Sequence, residues 1–282
     1  MSSGKGDLSR LYKTTDGCQT WRLVFTNPDK DGFWDALEFH GYDHGFILGD
    51  PVAGRFVLFF TLDGGSQWGR VITGDLQAAN AKIGAFAASN SAMTLGYDEM
   101  PMFGTSGPEG PWLYVPDSVC TSITAHENPA ACFDGGLRFE TVKLLLDSNS
   151  PSAGVFSLAV GPTGANVVAV GGDYGKPNAA AGTAVTTTPW LLQPKVAAAE
   201  TPPHGFRSAV AYDVDAKTWI TVGPNGTDIS TDDGKNWRAL HPDAAMHEAA
   251  DADRNWNALS LPFVVRPHGR IGKVNSHALA PR

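Results

Sequence analysis

Ser230-Thr-Asp232-Asp-Gly234-Lys-Asn-Trp237 obeys the pattern Ser/Thr-x-Asp-x-x-x-x-Trp, and the chain writes that pattern twice more. The other copies are Thr14-Thr-Asp16-Gly17-Cys-Gln-Thr20-Trp21 and Thr61-Leu-Asp63-Gly64-Gly65-Ser-Gln-Trp68. Two further copies are worn. Cys132-Phe-Asp134-Gly135-Gly136-Leu-Arg-Phe139 puts Phe in the Trp position, and Thr186-Thr-Thr-Pro-Trp190 is shortened and has lost the Asp. One such box arises by chance, but five at a spacing of roughly 45 to 70 residues describe a repeat of blade-like length. Its chemistry is local: the carboxylate and hydroxyl accept bonds from turn N–H groups, glycine supplies φ > 0, and the indole folds back under the hairpin. Asp16, Asp63, Asp134 and Asp232, with Trp21, Trp68 and Trp237, are therefore read as turn-holding residues rather than catalytic ones.

Between boxes the text also repeats, as an alternating apolar strand, a glycine turn, another strand and then the box. Phe33–Phe39, Gly84–Ser89, Gly154–Val160, Gly205–Tyr212 and Trp256–Leu261 read as innermost strands, rich in small and apolar residues that fit a taper. Gly45–Asp50, Ala165–Gly172 and Lys217–Gly223 read as second strands. Helix signals are nearly absent, apart from a weak one near Asp243 to Ala252. The expected fold is all-β, one β-propeller domain over residues 1–282 with four-stranded antiparallel blades, about five to seven in number and the first incomplete. The N-terminal half-blade, from Leu11, lacks inner strands, and the C-terminal one, to Val274, lacks an outer strand; joining them would close a ring of about five blades. Residues 93–116 read as a long irregular insertion in the third blade.

Composition narrows function. The formal charge of −8 leaves no basic stripe for phosphate neutralisation, so nucleic acid is disfavoured as a partner. No run approaches the ~18 apolar residues of a membrane span, and the N-terminus carries no apolar signal core. The three cysteines, Cys18, Cys120 and Cys132, do not make a disulfide framework, although Cys120 and Cys132 can close a loop in an oxidising compartment. The eight histidines have no metal-ligand spacing. There is no GxGxxG after a strand and no CxxC, so neither cofactor nor metal is expected.

The box and the segments Tyr12-Lys-Thr-Thr-Asp-Gly, His44-Gly-Phe-Ile-Leu-Gly-Asp-Pro-Val, Gly171-Gly-Asp-Tyr-Gly-Lys-Pro and Phe206-Arg-Ser-Ala-Val-Ala-Tyr resemble the Asp-box (bacterial neuraminidase repeat) propellers. Within that group the chain looks like bacterial "oxidoreductase-like" or photosystem II assembly-factor-like proteins, over nearly its whole length. The resemblance implies an exported or periplasmic propeller of six or seven blades, from which this chain lacks a leading blade, and a role as a protein-binding scaffold. Sialidases share the box, but the few arginines here show no arrangement converging on a carboxylate.

Candidate binding residues are the polar and aromatic ones on inner strands and adjoining loops: Trp34, Asp35, Asp50, Arg55, Asp173, Tyr174, Lys176, Arg207 and Ser208. A charged group on an inner strand must find a partner or face the wet channel, so Arg207 is expected to pair with Asp50 or Asp173 near the channel mouth. The expected function is non-catalytic binding of a protein or peptide, with a glycan less favoured. The alternative is a glycoside hydrolase-like propeller, for which two channel carboxylates among Asp35, Asp50 and Asp173 would have to stand about 5 to 9.5 Å apart.

Overall fold

The structure is a computed structural model. It describes residues 1–72, 76–78, 82–96, 99–108, 110–117, 137–188 and 194–279. Asp134, Trp190, Cys120 and Cys132 lie outside the described residues, so the worn boxes and the suggested Cys120–Cys132 pairing are not addressed.

The described chain is built from strands. A hairpin of β1 (Arg10–Lys13) and β2 (Arg22–Thr26) comes first, followed by the blade β3 (Trp34–His40), β4 (His44–Val52), β5 (Arg55–Thr61) and β6 (Gly69–Arg70). The next blade holds β7 (Met93–Leu95), β8 (Pro101–Gly104), β9 (Trp112–Pro116) and β10 (Phe139–Lys143). Then come β11 (Ala153–Val160), β12 (Val167–Asp173), β13 (Ala184–Thr188) and β14 (Lys195–Ala198), and after them β15 (Ala209–Asp213), β16 (Thr218–Gly223), β17 (Gly226–Ser230) and β18 (Arg238–Leu240). A three-stranded sheet of β19 (Ala258–Ser260), β20 (Phe263–Arg266) and β21 (Arg270–Lys273) ends the series, and helix α1 (Ser276–Leu279) follows it. Every pairing is antiparallel between sequence neighbours, which is the order of propeller blades.

Alternation along each strand explains how the blades stack. On β12, Val167 and Ala169 point into an apolar layer shared with Val155 of β11 and with Met102 and Leu113 of the flanking blade. Val168 and Val170 point the other way, against Val210, Trp219 and Trp237. Period-2 side-chain direction with both faces buried turns a strand into a continuous apolar run, and Val167-Val-Ala-Val reads as one. Corresponding layers join Leu48 and Phe56 to Met93 and Phe103, Leu11 to Trp34 and Ile47, and Val222 to Trp256 and Val264. Six sheets are thus linked by five apolar layers.

The three described boxes fold alike. Thr61 Oγ1 accepts from Gly65 N at 2.8 Å, Asp63 Oδ1 accepts from Ser66 N and Gln67 N at 2.9 Å each, and the Trp68 indole donates to Gly65 O at 3.2 Å. The third box repeats this, with Gly234 N to Ser230 Oγ at 3.1 Å and the Trp237 indole to Gly234 O at 2.9 Å. Gly65 and Gly234 sit at φ 82° and 77°, where a Cβ is disfavoured. At the first box Asp16 accepts from Thr20 and Gln19, and those bonds, that from the Thr20 hydroxyl foremost, hold its carboxyl down to about 2.

Three expectations are corrected. Residues 84–89 are not a strand: β7 is the inner strand of that blade, and the segment before it is held by an isolated bridge from Gly84 to Ser106 and by side-chain bonds. There the Asn90 amide grips Leu37 N at 2.9 Å and Leu37 O at 2.7 Å, while Ser91 Oγ reaches Ser157 Oγ at 2.7 Å and Ser157 takes Val210 N at 2.9 Å. Residues 93–116 are no insertion, because they carry the first three strands of the blade; Gly and Pro between short strands masked the pattern. The two end sheets do not merge into one blade. β21 already fills the third position of its sheet, the place that β1 holds in its own, so the two would compete for one slot. Their outward faces stay open, with Tyr12 and Leu23 exposed on one and Phe263, Val265 and Ile271 on the other.

Candidate functional site

In an antiparallel blade the first strand begins, and the second ends, at the same rim. The starts of β3, β11 and β15 and the β4–β5, β12–β13 and β16–β17 connections therefore share one rim of the propeller. Box turns join third strands to fourth, which puts Asp16, Asp63 and Asp232 at the opposite rim. All nine candidate binding residues lie on or beside the first rim, but they play unequal parts.

Three of them are core. Trp34 is fully buried, stacked on Phe25 at 5.1 Å between ring centres and edge-on to Phe59, so it presents no surface. The buried Ser208 hydroxyl donates to Val222 O at 3.1 Å and Trp256 O at 2.9 Å, tying the fourth blade to the last sheet. Arg207 is also fully buried, and its expected pairing with Asp50 or Asp173 is wrong. It binds Asp228 of β17 in its own blade, with Nε 2.8 Å from Oδ2 and Nη2 on the same oxygen. Nη1 donates to Phe206 O at 2.8 Å and Asn225 Oδ1 at 2.6 Å, and His204 Nδ1 lies 2.8 Å from Asp228 Oδ1. Burial pulls the Arg207 pKa down, while the Asp228 charge and hydrogen bonds push it up. Asp228 was missed because it sits within the strand-like run Gly226-Thr-Asp-Ile-Ser230; the usable signal was that a charge inside a buried strand needs a partner.

Asp173 is a loop clamp. It accepts from Ser152 Oγ at 2.6 Å, Ser150 Oγ at 3.0 Å and Gly175 N at 2.9 Å, and Lys176 Nζ stands 3.3 Å away. The Ser152 hydroxyl first, then the Gly175 amide, Ser150 and Lys176, hold its carboxyl down to about 2. Arg55 is exposed at the start of β5, and Tyr174 is 57% exposed.

The remaining two residues form the unusual corner. Asp35 occupies the bulge between Trp34 and Ala36, is 2% exposed, and has no hydrogen-bond partner for Oδ2. Asp50, half-buried at the end of β4, accepts from Ala85 N at 3.2 Å. Burial, and then the Asp50 charge, raise the Asp35 pKa well above the usual carboxylate range; burial also raises Asp50. A Cβ on Gly84 would stand 2.5 Å from Asp50 Oδ1, so glycine alone leaves Asp50 its place. Phe86, two residues beyond Gly84 and not singled out by the sequence, stacks on Phe156 at 3.8 Å and meets Tyr174 edge-on at 6.3 Å. Phe156 in turn packs edge-on against Phe206 at 4.6 Å. Three blades thus contribute to an aromatic cluster that begins one residue after Ala85, whose amide meets Asp50.

A carboxyl with a raised folded-state pKa costs no stability below its unfolded pKa, and its penalty grows as pH rises from there through the folded value. Asp35→Asn, isosteric and neutral, is therefore expected to leave thermal stability unchanged near pH 3 and to raise it relative to wild type as pH climbs above about 4. Melting both proteins across that range checks this; a difference independent of pH would refute it.

A concavity of about 310 Å³ lies between β16–β17 and the last sheet, floored by Ile220, Val222, Trp256 and Val264. On its rim Arg266 pairs with Asp251 at 3.0 Å, and the Asn275 amide donates to Glu248 at 3.1 Å. Among the described residues no group of three or more His, Cys, Asp or Glu is placed to hold a metal, and no helix is long and apolar enough to cross a membrane.

Fold and site together describe a β-propeller whose polar and aromatic residues gather on the rim opposite its box turns. No family model matches the chain, and no curated protein does. Among solved structures it is similar to YCF48 bound to D1 peptide, at 16% identity and a TM-score of 0.43, covering 84% of this chain and 64% of that one. It is also similar to the nidogen/laminin complex, at 10% identity and a TM-score of 0.49, covering 93% and 82%. A third is the GH74 xyloglucanase from Xanthomonas campestris, at 14% identity and a TM-score of 0.26, covering 83% and 38%. The chain therefore spans just under two thirds of the YCF48 chain.

Proposed function

We propose that this protein is a non-catalytic Asp-box propeller, of the photosystem II assembly-factor-like kind, that binds a protein or peptide on the rim carrying Asp50, Phe86 and Tyr174. One observation carries the reading: exposed and half-buried aromatic groups adjoin under-bonded carboxylates on a rim built from rigid inner strands. Aromatic rings with few rotatable bonds offer contact area at low entropic cost, which is how recognition surfaces concentrate binding energy. The hydrolase alternative asks Asp35 or its neighbour to protonate a glycosidic oxygen. Asp35, at 2% exposure, is closed to such a substrate, and Asp173 is tied down by four partners.

The test is selection of random twelve-residue peptides displayed on phage against the purified chain. Selected peptides are expected to lose at least tenfold in affinity on Tyr174→Ala and to be unaffected by Tyr42→Ser, which removes a 95% exposed ring from the β3–β4 turn at the opposite rim. Selection of nothing, or of peptides sensitive only to Tyr42→Ser, would overturn the proposal.

A further inference from the structure

We propose that the corner formed by Asp35, Asp50, Phe86 and Tyr174 receives a single lysine or arginine side chain of the partner. This rests on the peptide-binding reading above and names the group that the site is built to take.

Two independent features point to a cation. The first is a buried carboxyl oxygen with no hydrogen-bond partner among the described residues. Among the described residues, Asp35 Oδ2 is buried and unbonded, and the Asp50 carboxylate accepts one bond, at the long distance of 3.2 Å. Buried acceptors in folded proteins are nearly always satisfied, so an unbonded oxygen behind a half-buried carboxylate marks a place where a donor is wanted. An ammonium or guanidinium group supplies several donors and the opposite charge at once. The second feature is the ring pair. Phe86 follows directly on Ala85, whose amide holds Asp50, and Tyr174 stands edge-on to Phe86, so the chain segment that meets the carboxylate leads straight into aromatic rings. A cation within reach of both a ring and a carboxylate gains from each, and a partly desolvated ring is the better partner.

The surroundings agree. Lys176, the nearest described cation on the β12–β13 loop, is drawn to Asp173 at 3.3 Å, and Arg207 is consumed by Asp228. The chain's net charge of −8 favours approach of a basic partner.

The experiment starts from the phage-selected peptides. Each lysine is replaced in turn by acetyl-lysine and each arginine by citrulline, which keep shape and remove charge. Affinities are then measured by calorimetry on wild type, Asp50→Asn and Tyr174→Ala. Expected is one basic position per peptide whose neutralisation weakens binding at least tenfold on wild type and less than twofold on Asp50→Asn. Because Tyr174 is a surface ring, Tyr174→Ala supplies a variant whose fold is not in question; it is expected to shrink the same penalty. Peptides that bind the rim without any basic residue would overturn this inference while leaving the peptide-binding reading standing. So would a neutralisation penalty that is the same on all three proteins. Failure to select any peptide would remove both.

Discussion

Asp228→Ala is expected to destabilise the fold by about 3–5 kcal/mol, because it leaves the fully buried Arg207 guanidinium charged without its carboxylate. The pair bridges β17 and the segment entering β15, and His204 and Asn225 are arranged around it, so the loss reaches both strand connections on that rim. Arg207 Nη1 would keep Phe206 O and Asn225 Oδ1, neither of which carries a neutralising charge. Chemical unfolding of wild type and variant measures the effect. The double change Arg207→Met with Asp228→Leu should recover most of the loss, since an apolar pair of similar volume removes the desolvation penalty along with the attraction. The exposed Lys5–Asp31 pair, at 2.8 Å, gives the contrast: Lys5→Ala should produce no measurable change. Equal stability of Asp228→Ala and wild type would show that Arg207 finds solvent, contrary to its burial.

The second large effect separates two copies of one motif. Trp237 is 4% exposed, wedged against Val168 and Trp219, and Trp237→Ala should cost about 3–5 kcal/mol in transfer and cavity energy. Trp21 holds the same place in its box but is 57% exposed, since its hairpin has no inner strands to cover the ring. Trp21→Ala should therefore change stability by less than about 0.5 kcal/mol. The comparison asks whether the box turn stabilises by itself or by delivering an indole to a blade; similar losses at both positions would favour the turn alone.

The sequence-to-structure relation is uneven for physical reasons. The box turns were legible because the hydrogen bonds that clasp each hairpin span no more than four residues, so spacing encodes geometry directly. Strands such as β12 were legible because both faces are buried and its Val167-Val-Ala-Val run is apolar. The inner strand of the second blade was not, since at three residues β7 is too short for alternation to show and the glycine-led run before it imitates a strand. The site was half legible. Residue type picked out Asp35, Asp50 and Tyr174, but what joins them is Phe86, placed by Ala85 N meeting a carboxylate 35 positions earlier in the chain. Contacts of that separation leave no periodic trace. The partner of Arg207 was hidden in the same way, 21 residues ahead on a different strand.

The opposition of the two rims has a consequence for engineering. Among the described residues, the hairpin clasps around Asp16, Asp63 and Asp232 share no hydrogen bond with the loops holding Asp50, Arg55 and Tyr174, so those loops can be exchanged without loosening a clasp. The propeller is in this sense a display frame with a fixed back and a replaceable front. Libraries built at Arg55, Tyr174 and Lys176, all exposed, would vary what the frame holds while leaving intact the apolar layers that keep it folded.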